Sequence, residues 1–572
     1  MHINRFINFL NKYAPTSGSH EFIYDEYVEE ENYSIDIETK TEKFLREELK
    51  KNNPRHIILT GNAGDGKTRL GRKIIGEIFP DRLESIKKEN MFKSFSDFHK
   101  KEIIYIKDLS VFPEEKVQEI LKELYDSIIN NKNKIYFIAA NEGKLHYNLN
   151  QLGKDYSELK EYILYQIKFI PYLSENSKLN NKFNNLLIIN LNHVTNSVYI
   201  EKLIKQINKK ENWKDCEFCD AKSNCIIYWN YKQLQKDYIV KKIKEIYQII
   251  ELQDIHLTFR DLLNHLAYTY TGGLYCYDIH KSIEENKKKI NQMYYLNFLG
   301  DSIKQVEIFE KIFAFKYVKQ LQIGEISTLK IDQLILDESQ DIKEILKNEE
   351  GFGIDGFYSL KEKLKKELLE DSSKLNQWLR KLRKKLFFEY DNDAIYDLLP
   401  FLYYREYKNF NNEKKEEIRS KFIEAFNNNF SETYLYIEGE KNKEQLFLTV
   451  KIDNFSIKTA PILLKRFLED DISIFLKKPN FEFLDHERMH LLLEINGEKL
   501  DVSLNLFDYL MRLSNGSISY ILSEENDLLI KDFRDRLISK NLLKTRNHEL
   551  NKYLKVKDNC YKINDIPTLI RD

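Results

Sequence analysis

The chain has 572 residues, and its 90 lysines and arginines face 91 aspartates and glutamates for a formal net charge of −1. Near-neutrality excludes overall charge as a route to nucleic acid, so such a partner would need a local basic surface. At 42% hydrophobic and 32% charged, the sequence can bury sizeable, helix-rich cores, and its length suggests about three to four domain-sized units.

No apolar run approaches the roughly 18–20 residues of a membrane span, and the opening MHINRFINFL lacks a cleavable-signal pattern. The five cysteines suit a reducing compartment better than a disulfide framework. A cytoplasmic protein with no membrane partner is therefore expected. There is no internal repeat and no low-complexity linker.

Residues 1–50 read as a helical preface. It has an amphipathic start, a PTSGS turn at 15–19 and a helix-like TEKFLREELKK at 41–51. The acidic DEYVEEEN (25–32) reads as a solvated face.

The most informative stretch is LTGNAGDGKTRL, residues 59–70. Gly61, Asn62, Ala63, Gly64, Asp65, Gly66, Lys67 and Thr68 reproduce the spacing of a phosphate-binding P-loop. Glycines let consecutive N–H groups wrap phosphate oxygens, and a following helix turns its positive end to the same anion. Lys67 would reach the β- and γ-phosphates, and the Thr68 hydroxyl would ligate Mg²⁺. The flanks agree: HIILT (56–60) reads as a buried strand, and Leu70, Ile74, Ile75 and Ile78 recur at helical spacing. ATP and Mg²⁺ are the expected cofactors.

Further apolar runs, IIYIK (103–107), KIYFIAA (134–140) and LLIINL (186–191), alternate with helical segments. That pattern predicts a parallel sheet covered on both faces, with ligands at the carboxyl ends of the strands. Asp108 follows one strand and is a candidate Mg²⁺ carboxylate, or else an ordinary turn residue. Asn141 and Glu142 follow the next. Asn141 could hold the attacking water as sensor-1 residues of AAA+ ATPases do, and Glu142 could serve as the base. Most AAA+ enzymes carry Asp-Glu on the metal-binding strand, whereas here Asp108 precedes Leu109 and Ser110. Either Glu142 supplies the base or hydrolysis is slow and partner-dependent. A second Asp-Glu, Asp337-Glu338, lies in a helix-rich context far from the loop.

Cys216, Cys219 and Cys225 fall at C-x₂-C-x₅-C, and Cys276 is the natural fourth ligand of a tetrahedral zinc. His193, His256 and His265 are substitutes for that fourth place. An iron–sulfur cluster and plain structural cysteines are the alternatives. The helix-like HLTFRDLLNHLAY (256–268) resembles an AAA+ lid helix, with Arg260 at the sensor-2 place or simply on a surface.

The remainder is less specific. WLRKLRKKLFFEY (378–390) gathers Arg380, Lys381, Arg383, Lys384 and Lys385 as a phosphate-contacting or, more plainly, a solvated helix face. Beyond 430 the pattern turns to strands, with an Asn496-Gly497 hairpin signal, then two helices. The division expected is preface 1–50, ATPase core with cysteine insertion and lid 51–280, helical region 281–430 and α+β module 431–572. The fold class is α/β: an AAA+-like P-loop NTPase with a parallel sheet and helical lid, followed by helical and α+β regions.

With GNAGDGKT, AANEGKL (139–145), the cysteine cluster and TFRDLLNHLAYTYTGGLYC (258–276) in view, the chain resembles the DptF-like P-loop ATPases of the bacterial DNA phosphorothioation-dependent restriction system. YAPTSGSHEFI, LRKLRKKLFFE and DVSLNLFDYLMRLSNG (501–516) extend the likeness more loosely. The resemblance implies an ATPase subunit of an anti-phage defence complex that senses absent phosphorothioate modification. Companion restriction proteins, including a translocase-like subunit, DNA within that complex, and further copies of this chain are the partners implied. A nucleotide-gated signalling scaffold, or an AAA+ protein remodeller not acting on DNA, is the rival expectation.

Overall fold

Four near-continuous apolar runs between residues 56 and 190 build one sheet, as their hydrophobicity on both faces requires. The computed structural model describes residues 3–13, 33–130, 133–170, 181–281, 291–303, 313–337, 340–347, 372–431, 445–450, 462–517, 523–542, 552–557 and 560–565. The PTSGS turn, the acidic 25–32 run, Glu338 and residues 432–444 of the strand-like pattern beyond 430 lie outside them.

The sheet strands are β1 (His56–Gly61), β2 (Met91–Ser96), β3 (Lys101–Ile106), β4 (Lys134–Asn141) and β5 (Leu186–Asn190), in the order β2-β3-β4-β1-β5. Strand β1 is buried at all six positions. It pairs in parallel with β4, Gly61 opposite Asn141, and with β5, Thr60 opposite Asn190. Strand β3 also runs parallel to β4. The edge strand β2 corrects the expected all-parallel sheet, because it pairs antiparallel with β3. Its sequence MFKSFS alternates exposure instead of running apolar, as an edge strand does.

Helices cover both faces. Ile58, Ile104, Tyr136 and Ile138 pack one face against α4 (Glu114–Ile129), α5 (Glu142–Asn150) and α6 (Ser157–Lys168). On the other face lies α3 (Lys67–Ile78), where Gly71 abuts Tyr105 so closely that a Cβ would stand 2.7 Å from the ring. The preface contributes α1 (Arg5–Tyr13) and α2 (Lys40–Leu49), the latter capped by Thr39 accepting from the Glu42 N–H.

After the cysteine-bearing segment come α7 (Phe259–Thr271) and α8 (Cys276–His280). A capping box of Thr258 and Asp261 starts α7, and Gly272 in the left-handed region ends it.

The helix α9 (Ser372–Glu389) overturns the solvated reading of the 378–390 basic run. Arg383, Lys384 and Lys385 are buried, at 3%, 2% and 0% exposure. Arg383 donates to both Asp332 oxygens at 2.8 and 3.0 Å, and Lys384 pairs with Asp301 and Glu325. Arg380 pairs with Glu325, and Lys381 donates to Asn291. Arg383 and Lys384 are thus neutralised within the fold and Lys385 is buried, which removes the centre of the basic surface a nucleic acid would need.

Two compact units emerge: residues 1–251, 255–398 and 479–487 form the first, and 252–254, 399–478 and 488–572 the second. The stretch 479–487 completes the first unit from far along the chain. Phe483 and Asp485 take hydrogen bonds from Thr41, Lys40 and Tyr199, and Phe481 stacks on His193.

The second unit is α+β. Its sheets are β10-β9-β8 (β8 Ile472–Lys477, β9 His490–Ile495, β10 Glu498–Val502) and β12-β11-β7-β6 (β6 Leu446–Val450, β7 Ile462–Phe467, β11 Lys552–Lys557, β12 Cys560–Asp565). Asn496 and Gly497 both adopt positive φ at the β9–β10 turn, as a two-residue type I′ hairpin requires. Phe422, Phe426, Phe507 and Phe533, from α10 (Lys415–Ser431), α11 (Leu504–Ser514) and α12 (Glu524–Leu542), fill its core.

No helix among the described residues is long and apolar enough to cross a membrane.

Candidate functional site

The loop between β1 and α3 takes a shape that only its glycines permit. Gly64 sits at φ +104, and a Cβ there would meet Thr258 Oγ1 at 2.7 Å and Arg260 Cβ at 3.1 Å. Gly66, at φ +80, is the left-handed N-cap of α3. The loop is therefore drawn tight against the segment that enters α7, and the Arg260 N–H donates to the Gly64 carbonyl at 3.2 Å.

A cavity of about 260 Å³ opens at this loop. Ala63, Gly64, Asp65, Gly66, Lys67 and Thr68 line it with Lys107 and Asp108 from the end of β3, and with Leu191 after β5. Phe259, Arg260 and Leu263 of α7 form another wall. Tyr13, Ile35, Ile37, Thr39 and Thr41 of the preface also reach it. The lining carries Lys67, Arg69, Arg72, Lys73, Lys107 and Arg260 against Glu42, Asp65 and Asp108, an excess of cations suited to a polyanion.

Several of these charges are held in place. Asp36 pairs with Arg69 and Lys73, and Glu42 with Lys73 and Arg46, which ties the preface to α3. Lys67 Nζ donates to the carbonyls of Gly61 at 2.9 Å and Asn62 at 2.6 Å, so it lies back along its own loop. Burial lowers its pKa, while Asp65 and Asp108 act in the opposite sense. An anion bound there would favour the charged form.

Thr68 and Asp108 stand together at the cavity. The Thr68 hydroxyl donates to the Lys107 carbonyl at 3.4 Å, and one Asp108 oxygen accepts from the Ser110 N–H and hydroxyl at 2.8 and 2.7 Å. A hydroxyl and a carboxylate are hard oxygen donors, so this pair fits a magnesium ion chemically.

Asn141 and Glu142 are placed otherwise. Both lie at the end of β4, outside the residues that line the cavity. The Asn141 side chain caps α5 by accepting from the Gly143 N–H at 3.0 Å. Glu142 accepts from Asn192 at 2.6 Å and from Asn190 at 3.2 Å. Asn192 in turn accepts from the Asn62 N–H at 3.0 Å, which links Glu142 to the loop through one amide.

Sequence reading missed Asn192 and the 33–41 wall, and it weighed His256 only as a zinc ligand. His256 Nε2 donates to Asp65 at 2.8 Å. Burial pulls its pKa down, but the hydrogen bond and charge of Asp65, with Glu251 and Asp261 beyond, more than offset that and leave it raised. The Asn of LNH after β5 and the histidine before α7 were visible as strand-end and cap-adjacent polar residues, without a sign of what they would touch.

The four expected cysteines do come together. Cys216, Cys219, Cys225 and Cys276 line one small cavity and form no disulfide. His280 joins them, its Nε2 3.3 Å from Cys219 Sγ. The substitutes considered are engaged elsewhere: His193 with the Ile167 carbonyl, His256 with Asp65, and His265 with Tyr247 and the Phe298 carbonyl. Burial pushes the Cys216 and Cys225 thiols up to about 12. Among the described residues no group of three or more His, Cys, Asp or Glu side chains stands ready-set around one metal position. Asp337 ends an exposed helical turn, away from both cavities.

No family model matches the chain, and neither a curated protein nor a solved structure matches it.

Proposed function

We propose that this chain binds ATP at the 61–68 loop and hydrolyses it slowly, as a P-loop ATPase of AAA+-like type. The observation that carries this reading is the convergence of Lys67, Thr68 and Asp108 on one cation-rich cavity at the ends of β1 and β3. The loop amides and the α3 N-terminus cradle the phosphates, and Lys67 leaves the Gly61 and Asn62 carbonyls to meet them. Thr68 and Asp108 hold Mg²⁺, which when bound offsets charge on the phosphate oxygens. Arg260, fixed beside Gly64, faces the same space from α7.

Slow turnover follows from Glu142. Its carboxylate is occupied by Asn190 and Asn192 and does not line the cavity. That placement also favours a second reading, a nucleotide-gated switch that binds ATP and changes partners with little hydrolysis.

The cellular role we propose rests on the resemblance in sequence: the ATPase subunit of a phosphorothioation-sensing restriction complex, acting with companion proteins on DNA. Calorimetry tests the site, because Lys67→Ala should abolish Mg-ATP binding in a folded chain. Unchanged affinity would refute it. ATPase rates of the chain alone, with duplex DNA and with companion proteins test the role. Stimulation strongest on unmodified DNA supports restriction, and indifference to DNA at any salt supports the switch.

A further inference from the structure

We propose that the cysteine cavity is a structural zinc site, with Cys216, Cys219, Cys225 and Cys276 as ligands and His280 as the outer partner of Cys219, and that α1 transmits its occupancy to the nucleotide cavity. The second half rests on the nucleotide reading above; the first does not.

The donor set makes the case for a metal. Four thiols and an imidazole from two separate stretches, 216–225 and 276–280, share a cavity of about 20 Å³, room for about one water-sized body. Thiols alone gain little from being gathered, and their sulfurs are poor partners for one another. Yet N–H groups are aimed at them. Asn4 Nδ2 donates to Cys216 Sγ at 3.2 Å. The Tyr228 and Ile227 backbone N–H groups serve Cys225, and the Asn4 backbone N–H serves Cys276. Donors around sulfur are the outer-shell arrangement that steadies thiolate ligands on zinc. Lys222 and His280 line the cavity too, and among the described residues Asp215 is the one carboxylate in the lining. Four sulfurs close a tetrahedral site and leave no position for catalysis.

The link to the nucleotide cavity runs along α1. Asn4, just before it, holds Cys216 and also the Asn212 carbonyl at 2.9 Å. Mid-helix, Asn11 donates to the Leu274 carbonyl at 2.8 Å and accepts from Thr271 at 2.7 Å, at the end of α7. At its far end Tyr13 lines the nucleotide cavity. A nine-residue helix, about 14 Å long, thus spans both sites and leans on the helix that carries Arg260. An ion that fixes Cys216 and Cys276 fixes the Asn4 end of that brace.

The test begins with metal analysis and X-ray absorption of the full-length chain purified from zinc-supplied cells. About one zinc per chain with four sulfur ligands is expected, retained in His280→Ala and lost from Cys219→Ser, whose thiol is half-exposed. A folded chain that neither carries nor takes up Zn²⁺, or a three-sulfur, one-nitrogen shell, would overturn the assignment. Hydrogen exchange then compares zinc-loaded and chelator-extracted protein. Faster exchange across 3–13 and 259–274, with Mg-ATP affinity down about tenfold, supports the brace. Unchanged exchange in those segments overturns it. A zinc-loaded chain that binds no nucleotide refutes the nucleotide reading, while the exchange result still decides the coupling.

Discussion

His256 and Asp65 join the entrance of α7 to the tip of the β1–α3 loop, with Nε2 2.8 Å from Oδ1. The other Asp65 oxygen accepts from the Asn62 N–H at 2.6 Å, so one carboxylate both shapes the loop and ties it down. The loop and the Arg260 helix are consequently one mechanical piece, and what moves either must break this pair.

The pair titrates. The pKa of His256 is raised in the fold, above the roughly 6.5 of an unfolded histidine. Its contribution to stability is therefore complete below about pH 6.5 and fades as pH climbs through the folded value. Denaturant unfolding of wild type and His256→Asn should differ by about 1.5–3 kcal/mol near pH 6. The gap should narrow steadily toward pH 9. A gap that widens with pH would show that His256 is not held protonated by Asp65.

Gly64→Ala tests the tight approach of the loop to α7. Its Cβ would collide with Thr258 Oγ1 at 2.7 Å, and φ +104 is a conformation that side-chain-bearing residues avoid. Stability should fall by about 1–3 kcal/mol, and Mg-ATP affinity should fall with it. Gly153→Ala, where nothing lies within 4 Å of the Cβ position, is the matched control and should change neither.

Much of this was legible where the signal is local. HIILT, KIYFIAA and LLIINL declare buried strands because each is apolar on both faces, and Asn496-Gly497 declares its turn through two positive φ angles. Lys67 and Thr68 of the loop and Asp108 after β3 line one cavity. What escaped depends on partners distant in sequence. His280 meets Cys219 across 61 residues, and Asn192 meets Asn62 across 130. Residues 479–487, assigned with the 431–572 module, dock instead on Thr41 and His193. The run at 378–390 misled because helical charge usually faces water, whereas here carboxylates 51 and more residues away neutralise it inside.

That burial makes its own prediction. Arg383 is 3% exposed and gives Asp332 two hydrogen bonds, so Asp332→Ala would strand a buried guanidinium. Thermal or denaturant unfolding should report a loss of roughly 3–5 kcal/mol. The double variant Arg383→Met, Asp332→Leu should recover most of it, since no charge is left unpaired. Removing this cluster should leave any DNA affinity of the complex unaltered. A fall in DNA binding with stability intact would return α9 to the surface role.

Asn192 is the residue on which turnover should hinge. It donates to Glu142 at 2.6 Å and accepts from the Asn62 N–H at 3.0 Å, so it holds the candidate base while touching the phosphate loop. A phosphate bound at the proposed site would compete for the Asn62 N–H, and losing that bond would loosen the amide that restrains Glu142. Asn192→Ala cuts both links at once. If Glu142 is the base and Asn192 restrains it, the variant should hydrolyse ATP several-fold faster alone, at unchanged Mg-ATP affinity. Glu142→Gln should abolish turnover in both backgrounds, while nucleotide binding persists. Steady-state rates with parallel calorimetry separate the cases. Should Asn192→Ala lose turnover together with Glu142→Gln, the amide positions the base instead of withholding it. Should Glu142→Gln leave the rate untouched, the base lies elsewhere, and the absent glutamate after Asp108 must be supplied by a partner chain.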